Sequence, residues 1–324
     1  MQKLALALQD SESIQLVTHV HPDGDAIGST IALALGLKEL GKDVSVVLPQ
    51  GVPRAFQFLT PETLGLHISD SISDFRHRNE CLVILDAPDS ARTGNKPAVV
   101  TFAKSHRLYA IDHHRKGDLL GLATEMAHNT EASSACELVF ELLNELQVKM
   151  TSQMATCILT GIYTDTGAFQ YANTTPTTLE VVAELMRRGA KLNKIVDALT
   201  QEKSMASLRL LGVALDRMYT VHDGLVLISA ITHADLAAED AVAEDLTGVN
   251  GELTTVAGPA ITLFVRETTP GEVSGSLRCT DTATRRKINV RRIAKLLGGN
   301  GHPTAAGFTL QGELYKKGSR WQVR

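Results

Sequence analysis

Aromatic side chains are scarce in this chain: one Trp, five Tyr and eight Phe among 324 residues, or 4%. An extended stacking platform for long single-stranded nucleic acid needs a series of aromatic faces, so the scarcity argues for a short substrate instead. Cysteines are also few. Cys81, Cys136, Cys157 and Cys279 are scattered, with no CxxC pair. Their spacing offers no disulfide framework and implies buried, reduced thiols in a cytoplasmic protein. Positive charge is not in surplus, since 32 Lys and Arg stand against 36 Asp and Glu for a net charge of −4. Binding of nucleic acid by bulk charge is excluded, while a local basic cleft is not. Asp10 and Glu12 interrupt the N-terminus before an apolar signal region could form. No apolar run approaches the ~18–20 residues that a membrane helix needs. Internal repeats and low-complexity tracts are lacking as well.

What is present is ordinary in bulk, with 44% hydrophobic and 21% charged residues, and the length suits about two domains with sizeable cores. The first half alternates strand and helix patterns. Buried β runs over Ile14–Thr18, Val44–Leu48, Cys81–Leu85 and Arg107–Ile111 alternate with helical periodicity over Ala26–Leu40, Ser133–Leu146 and Ser152–Tyr163. Such alternation predicts an α/β domain with a mostly parallel sheet flanked by helices. Helices are expected over Pro176–Arg188, Leu192–Leu199 and Glu202–Met218, and then the character changes. Tyr219–Val221 and Leu225–Ala230 flank His222-Asp223-Gly224, a hairpin signal. Strands over Thr255–Val265 and Gly275–Cys279 and a helix over Val290–Leu297 predict a smaller α/β domain. The expected division is a catalytic domain over 1–188, a helical linker over 189–204 and a substrate-binding domain over 205–324.

Two strings concentrate chemistry: His19-Val20-His21-Pro22-Asp23-Gly24-Asp25 and Asp112-His113-His114. Each follows an apolar run that reads as a buried strand, and a third such run ends at Asp86. In parallel sheets ligands bind beyond the carboxyl ends of strands. Asp23 and Asp25, two apart in a turn before a helix, can reach two adjacent cations. Asp86 could bridge them, His19 and His113 add imidazoles, and Asp165 could complete the second ion. A mixed His and carboxylate set suits Mn²⁺, Fe²⁺ or Co²⁺. Each residue alone has an ordinary structural explanation: an Asp before a helix is usually an N-cap, His21 precedes a turn proline, and Asp165 could simply cap Thr164-Asp165-Thr166-Gly167. All of them together at strand and helix ends are harder to explain that way.

These residues resemble the successive motifs of the DHH phosphoesterase superfamily: His19-x-x-Pro22-Asp23-Gly24-Asp25-Ala26-Ile27-Gly28-Ser29, Leu85-Asp86, Asp112-His113-His114, and Gly161 through Phe169. Near the end, Gly298-Gly299-Asn300-Gly301-His302-Pro303-Thr304-Ala305-Ala306-Gly307-Phe308 resembles the glycine-rich motif of the associated DHHA1 domain, and Ser276-Leu277-Arg278 its usual approach. The resemblance implies two Mn²⁺ ions, one on His19, Asp23 and Asp86, the other on Asp25, Asp86, His113 and Asp165. His114 would touch the scissile phosphate or protonate the leaving oxygen. Arg278, Gly299, Gly301 and His302 would hold substrate, and Arg92, from Asp86-x-x-Asp89-x-x-Arg92, would lie near the metals. A homodimer is implied too.

The chain departs from the family pattern in two places. Arg115-Lys116-Gly117 follows the histidine pair where proline is common, and its cations would either hold phosphate or simply be solvated. Asn300 stands where glycine is common, and Asn tolerates positive φ better than most residues. The basic run Arg285-Arg286-Lys287 is equally open between substrate contact and solvation.

The expected activity is that of the nano-RNase and pAp-phosphatase branch: hydrolysis of short linear oligoribonucleotides or dinucleotides such as pGpG and pApA to 5′-mononucleotides, with pAp as a further substrate. Alternatives are an inorganic pyrophosphatase or exopolyphosphatase, a cyclic-dinucleotide phosphodiesterase, a 5′ exonuclease for longer strands, or an inactive nucleotide-binding module.

Overall fold

The structure is a computed structural model that describes every residue except 61–64, 73–79, 116, 201–203 and 280–287. The chain divides into two compact units, Met1–Glu202 and Lys203–Arg324.

In the first unit the strands are β1 (Ser13–Val17), β2 (Asp43–Val47), β3 (His67–Ser69), β4 (Glu80–Leu85), β5 (Arg107–Asp112) and β6 (Glu125–His128). They form one sheet in the order β3-β2-β1-β4-β5-β6, with every neighbouring pair parallel. The helices are α1 (Gln2–Asp10), α2 (Gly24–Glu39), α3 (Lys96–Ala103), the single turn α4 (Leu119–Leu122), α5 (Ala135–Glu145), α6 (Ser152–Asp165), α7 (Pro176–Arg187) and α8 (Leu192–Thr200). Successive strand residues face opposite sides. Ile14 and Leu16 of β1 and Cys81, Val83 and Leu85 of β4 enter one core with Ile27, Ile31, Leu142 and Ile158. Val17, Leu82 and Ile84 enter a second, with Val99 and Phe102 of α3. A sheet covered on both faces explains why its strands read as unbroken apolar runs.

The chain leaves β1 towards β2 on one side, while β4 leads to β5 on the other. The crevice at the carboxyl ends of β1 and β4 is therefore the topological switch point, where such sheets bind ligands. His19 and Asp86 lie just past those two ends.

Glycine sets the distance between α2 and α6. A Cβ on Gly28 would lie 2.4 Å from the Cys157 carbonyl oxygen, and one on Gly161 would lie 2.2 Å from Cys136 Sγ and 2.6 Å from Asp25 Oδ1. Only hydrogen fits at these positions. The close approach brings Asp25, in the first turn of α2, towards Asp165, the last residue of α6.

The segment expected as a linker is partly core. Ile195 of α8 is fully buried in the first unit, with Leu192 and Leu199 packed against the same cluster. Its apolar stripe is satisfied within that unit.

The second unit holds α9 (Met205–Asp216), β7 (Tyr219–Val221), β8 (Val226–Ile231), α10 (His233–Ala238), α11 (Val249–Thr254), β9 (Ile261–Thr269), β10 (Glu272–Cys279), α12 (Val290–Leu296), β11 (Asn300–Gly301), β12 (Ala305–Gln311), β13 (Leu314–Lys317) and β14 (Arg320–Val323). Its main sheet runs β11-β12-β10-β9-β8-β7, with β13 and β14 as a separate ribbon. The sheet is mixed, because β8 and β9 are parallel and the other pairs antiparallel. The hairpin forms where expected, with His222, Asp223 and Gly224 all at positive φ.

The strand expected over Thr255–Val265 begins only at Ile261. The residues before it close α11 and turn at Gly258, whose φ is +111°. Asn300 is not among the residues at positive φ. It is extended in β11, and its Oδ1 accepts from Arg291 Nε at 3.0 Å, so no left-handed tolerance is needed there. Among the described residues no helix is long and apolar enough to cross a membrane.

Candidate metal centre

Asp23 is the N-cap of α2, and its Oδ1 accepts from the amides of Asp25 and Ala26, each at 3.1 Å. Capping fixes the carboxylate while leaving it exposed to the crevice. Asp25 is buried, and its two oxygens accept from Ala135 N at 2.6 Å and Cys136 N at 2.9 Å, the first amides of α5. A helix N-terminus favours a carboxylate there. Asp86 follows β4 in the left-handed region at φ +55°, held by its amide donating to Ile111 O at 2.9 Å. A non-glycine residue costs of order 1 kcal/mol in that conformation, which marks a position constrained by its surroundings.

His19 donates from Nδ1 to Val20 O at 2.8 Å, which turns Nε2 towards Asp86 Oδ2 at 3.4 Å. His113 Nε2 is 3.6 Å from Asp86 Oδ1, 3.9 Å from Asp25 Oδ2 and 3.5 Å from Asp165 Oδ2. These separations are too long for hydrogen bonds. They suit donor atoms arranged about a shared cation, whose bonds run about 2.0–2.2 Å. The buried atoms Asp86 Oδ1 and His113 Nε2 have no hydrogen-bond partner, which is costly unless something else satisfies them.

Three groups of donors each lie within 4.8 Å of one another: His19, Asp23 and Asp86; Asp25, His113 and Asp165; and Asp86, His113 and His114. Nitrogen and oxygen donors with no thiolate fit a divalent cation of the Mn²⁺, Fe²⁺ or Co²⁺ type.

The electrostatics tell the same story. Burial, followed by the charges of Asp86 and Asp165, pushes the Asp25 carboxyl well above its ordinary range. Burial chiefly raises Asp165 to about 6, against the pull of His113. For His113 burial acts downwards, but Asp86, Asp25 and Asp165 outweigh it and raise the imidazole to about 10. Asp165 also sits at the C-terminal end of α6, where the helix dipole disfavours a negative charge. A carboxylate-rich pocket that holds protons this tightly is one that a cation would relieve.

Of the third group, His114 differs. Its Nδ1 donates to Asp112 Oδ1 at 2.8 Å, and its carbonyl accepts from His128 Nε2 at 2.6 Å. Asp112 fixes the ring and leaves Nε2 directed elsewhere. Asp112 as the partner of His114, and the α5 amides as the holders of Asp25, escaped the sequence reading. Asp112 was in view as part of its string, but nothing in spacing distinguishes a ring-orienting carboxylate from a ligand.

Arg92 lies in a single 3₁₀ turn, Ser90–Thr93. Its carbonyl accepts from Val20 N at 2.8 Å, and its charge is felt at His19. Arg115 is exposed, while Lys116 and Arg285–Lys287 fall outside the described residues.

In the second unit a cleft of about 390 Å³ is lined by Arg266, Ser274, Ser276, Gly299, Gly307 and Phe308 among others. Of the expected substrate residues only Gly299 lines it. Arg278, Gly301 and His302 are exposed nearby on β10 and the glycine-rich loop. Arg266 was not anticipated, because it lies in a strand outside any motif.

Comparison with known proteins agrees with this layout. The DHH family, N-terminal domain, matches residues 13–162, and the DHHA1 domain matches residues 225–317. The bifunctional oligoribonuclease and PAP phosphatase NrnA of Thermus thermophilus is 36% identical over 299 residues, covering 92% of this chain and 84% of that protein. Its namesake from Bacillus subtilis is 26% identical over 308 residues, covering 92% and 90%. Among solved structures, an exopolyphosphatase-related protein from Bacteroides fragilis superposes with a TM-score of 0.83 at 26% identity, covering 97% of this chain and 91% of that one. With both domains matched in series and a relative of this similarity along most of its length, the chain belongs to the DHH superfamily of phosphoesterases, in its nano-RNase-like DHH/DHHA1 branch.

Proposed function

We propose that this phosphoesterase is a two-Mn²⁺ phosphodiesterase that hydrolyses short linear oligoribonucleotides and dinucleotides, such as pApA and pGpG, to 5′-mononucleotides and also removes phosphate from pAp. The observation that carries the reading is the convergence of His19, Asp23, Asp25, Asp86, His113 and Asp165 at the switch point, with Asp86 common to both halves. The named activity of the Thermus thermophilus relative supports the substrate class. Four free thiols are in keeping with a cytoplasmic setting.

His19, Asp23 and Asp86 would hold one ion, and Asp25, Asp86, His113 and Asp165 the other. Such a pair supplies positive charge on both sides of an in-line displacement at phosphorus and lowers the pKa of the attacking water. The chain's own residues do the rest. Asp86, fixed by its Ile111 hydrogen bond, keeps the two donor groups in register. Asp112 holds the His114 ring with Nε2 free to meet the scissile phosphate or to give a proton to the departing oxygen. The α5 amides hold both oxygens of Asp25 in place.

A second reading, exopolyphosphatase or pyrophosphatase, draws on the name of the Bacteroides fragilis structure. Turnover with Mn²⁺ of pApA, pGpG, pAp, cyclic dinucleotides, longer RNA, pyrophosphate and polyphosphate decides between them. The proposal expects the short linear substrates to be preferred. A preference for pyrophosphate or polyphosphate would overturn it.

A further inference from the structure

Arg266 stands on β9 opposite Ser274 of β10, which in turn stands opposite Thr309 of β12. Its Nε donates to Ser274 Oγ at 3.1 Å, which fixes the guanidinium plane in the cleft of the second unit. Among the described residues no carboxylate lines this cleft. Glu267, the next residue, is buried on the other face of the strand, where it accepts from the amides of Gly271 and Leu314. Among the described residues the half-buried Arg266 therefore has no acidic partner.

Burial, and after it the positive charge of Arg278, makes the Arg266 cation harder to keep. A desolvated guanidinium next to a second cation is an unbalanced charge. The hydroxyls of Ser276 and Thr309 line the same cleft and have no hydrogen-bond partner among the described residues. The floor is bare backbone and the Phe308 ring. A Cβ on Gly299 would lie 2.0 Å from Gly307 O, and one on Gly275 would lie 2.2 Å from the Phe308 ring. A volume of about 390 Å³ falls within the range of small-ligand sites.

An unpaired guanidinium fork beside two free hydroxyls, with no competing acid, matches the donor pattern that phosphate requires. We propose that Arg266 is a specificity-determining residue of the second unit: with Ser276 and Thr309 it binds a nucleotide phosphate other than the one being cleaved. The inference rests on the nucleotide-substrate reading given above.

Calorimetric titration of the full chain with AMP and with adenosine tests it, in EDTA so that the metal centre cannot hold the phosphate. Wild type should prefer AMP by roughly 10-fold or more, the range of a hydrogen bond to a charged group. Arg266→Gln should erase that preference and leave adenosine affinity unchanged, while Arg266→Lys keeps part of it. If wild type shows no preference, or Arg266→Gln keeps it, the proposal is wrong. Equal loss of AMP and adenosine would assign Arg266 to base or sugar and likewise overturn the phosphate role. Should Arg266→Gln lower the melting temperature, Ser276→Ala must reproduce the lost preference or the proposal fails.

Turnover separates this inference from the reading beneath it. An Arg266-dependent AMP preference in a protein that cleaves neither pApA nor ApA would leave the phosphate site standing and reject the oligoribonucleotide reading. Cleavage of pApA with the same pApA-to-ApA ratio of KM in Arg266→Gln as in wild type would do the reverse.

Discussion

The two units solve the problem of holding charge in opposite ways. In the first, carboxylates and imidazoles are buried together and fixed by backbone: Asp23 by its own helix, Asp25 by the α5 amides and Asp86 by Ile111. In the second, one half-buried arginine lines a cleft floored by glycine and phenylalanine, and Arg278 and His302 stay at the surface. The contrast fits the roles proposed above for the two units. Chemistry at phosphorus needs several donors fixed to within a fraction of an ångström. The substrate reading proposed for the second unit would need fewer contacts and tolerate more water.

The strongest way to break the comparison is at Asp86. Asp86→Asn keeps the shape and removes the charge common to both donor groups. Turnover should fall by roughly 10²–10³-fold, the scale of one lost electrostatic stabiliser. Mn²⁺ should also cease to raise the melting temperature. Near-normal activity, or an undiminished metal-dependent shift, would dismantle the site assignment.

Asp112→Asn comes next. It retains the length of the side chain but changes which proton His114 Nδ1 shares, so kcat should drop about 10–100-fold with KM little altered and the pH–rate profile displaced. A change confined to KM would mean that Asp112 does not act through His114.

The third test is the pH dependence of cation binding. Asp165, raised to about 6, and His113, raised to about 10, carry protons that a metal must displace. A raised pKa means that more of the group is protonated at a given pH, so apparent Mn²⁺ affinity should increase as pH rises. At 100-fold excess over Kd the bound ion stabilises by about 2.7 kcal/mol. The Mn²⁺-induced shift in melting temperature should therefore be larger at pH 8 than at pH 6, with protons released on binding. An equal shift at both values would exclude proton-coupled binding at these residues.

The smallest effect belongs to the surface of the second unit. Arg278→Ala and His302→Ala should each raise KM for dinucleotides several-fold, within the 0.2–1 kcal/mol scale of exposed charges. A small chromogenic phosphodiester should be affected less. Equal effects on both substrates would remove these residues from substrate reading.

The difference between the units also governs what could be read beforehand. The candidate metal donors could be singled out because such chemistry restricts residue type and their strings sit at strand ends, where apolar runs stop abruptly. The cleft was not, because Arg266 lies in a strand whose side-chain direction depends on register with β10. The strand over Ile261–Thr269 was itself misplaced by six residues at its start, since the apolar residues of 249–256 serve α11 and its packing.

By itself, the order of residues determined the parallel α/β organisation, the superfamily and which residues are candidate donors, because periodicity and ligand chemistry are local properties. Tertiary structure decided that β1 and β4 are neighbours, so that His19 and Asp86 meet. It also let Gly28 and Gly161 bring α2 to α6, and it paired Asp112 with His114 and put Arg266, rather than Arg278, in the cleft. Those outcomes depend on which elements pack together and at what distance, and only the folded chain specifies that.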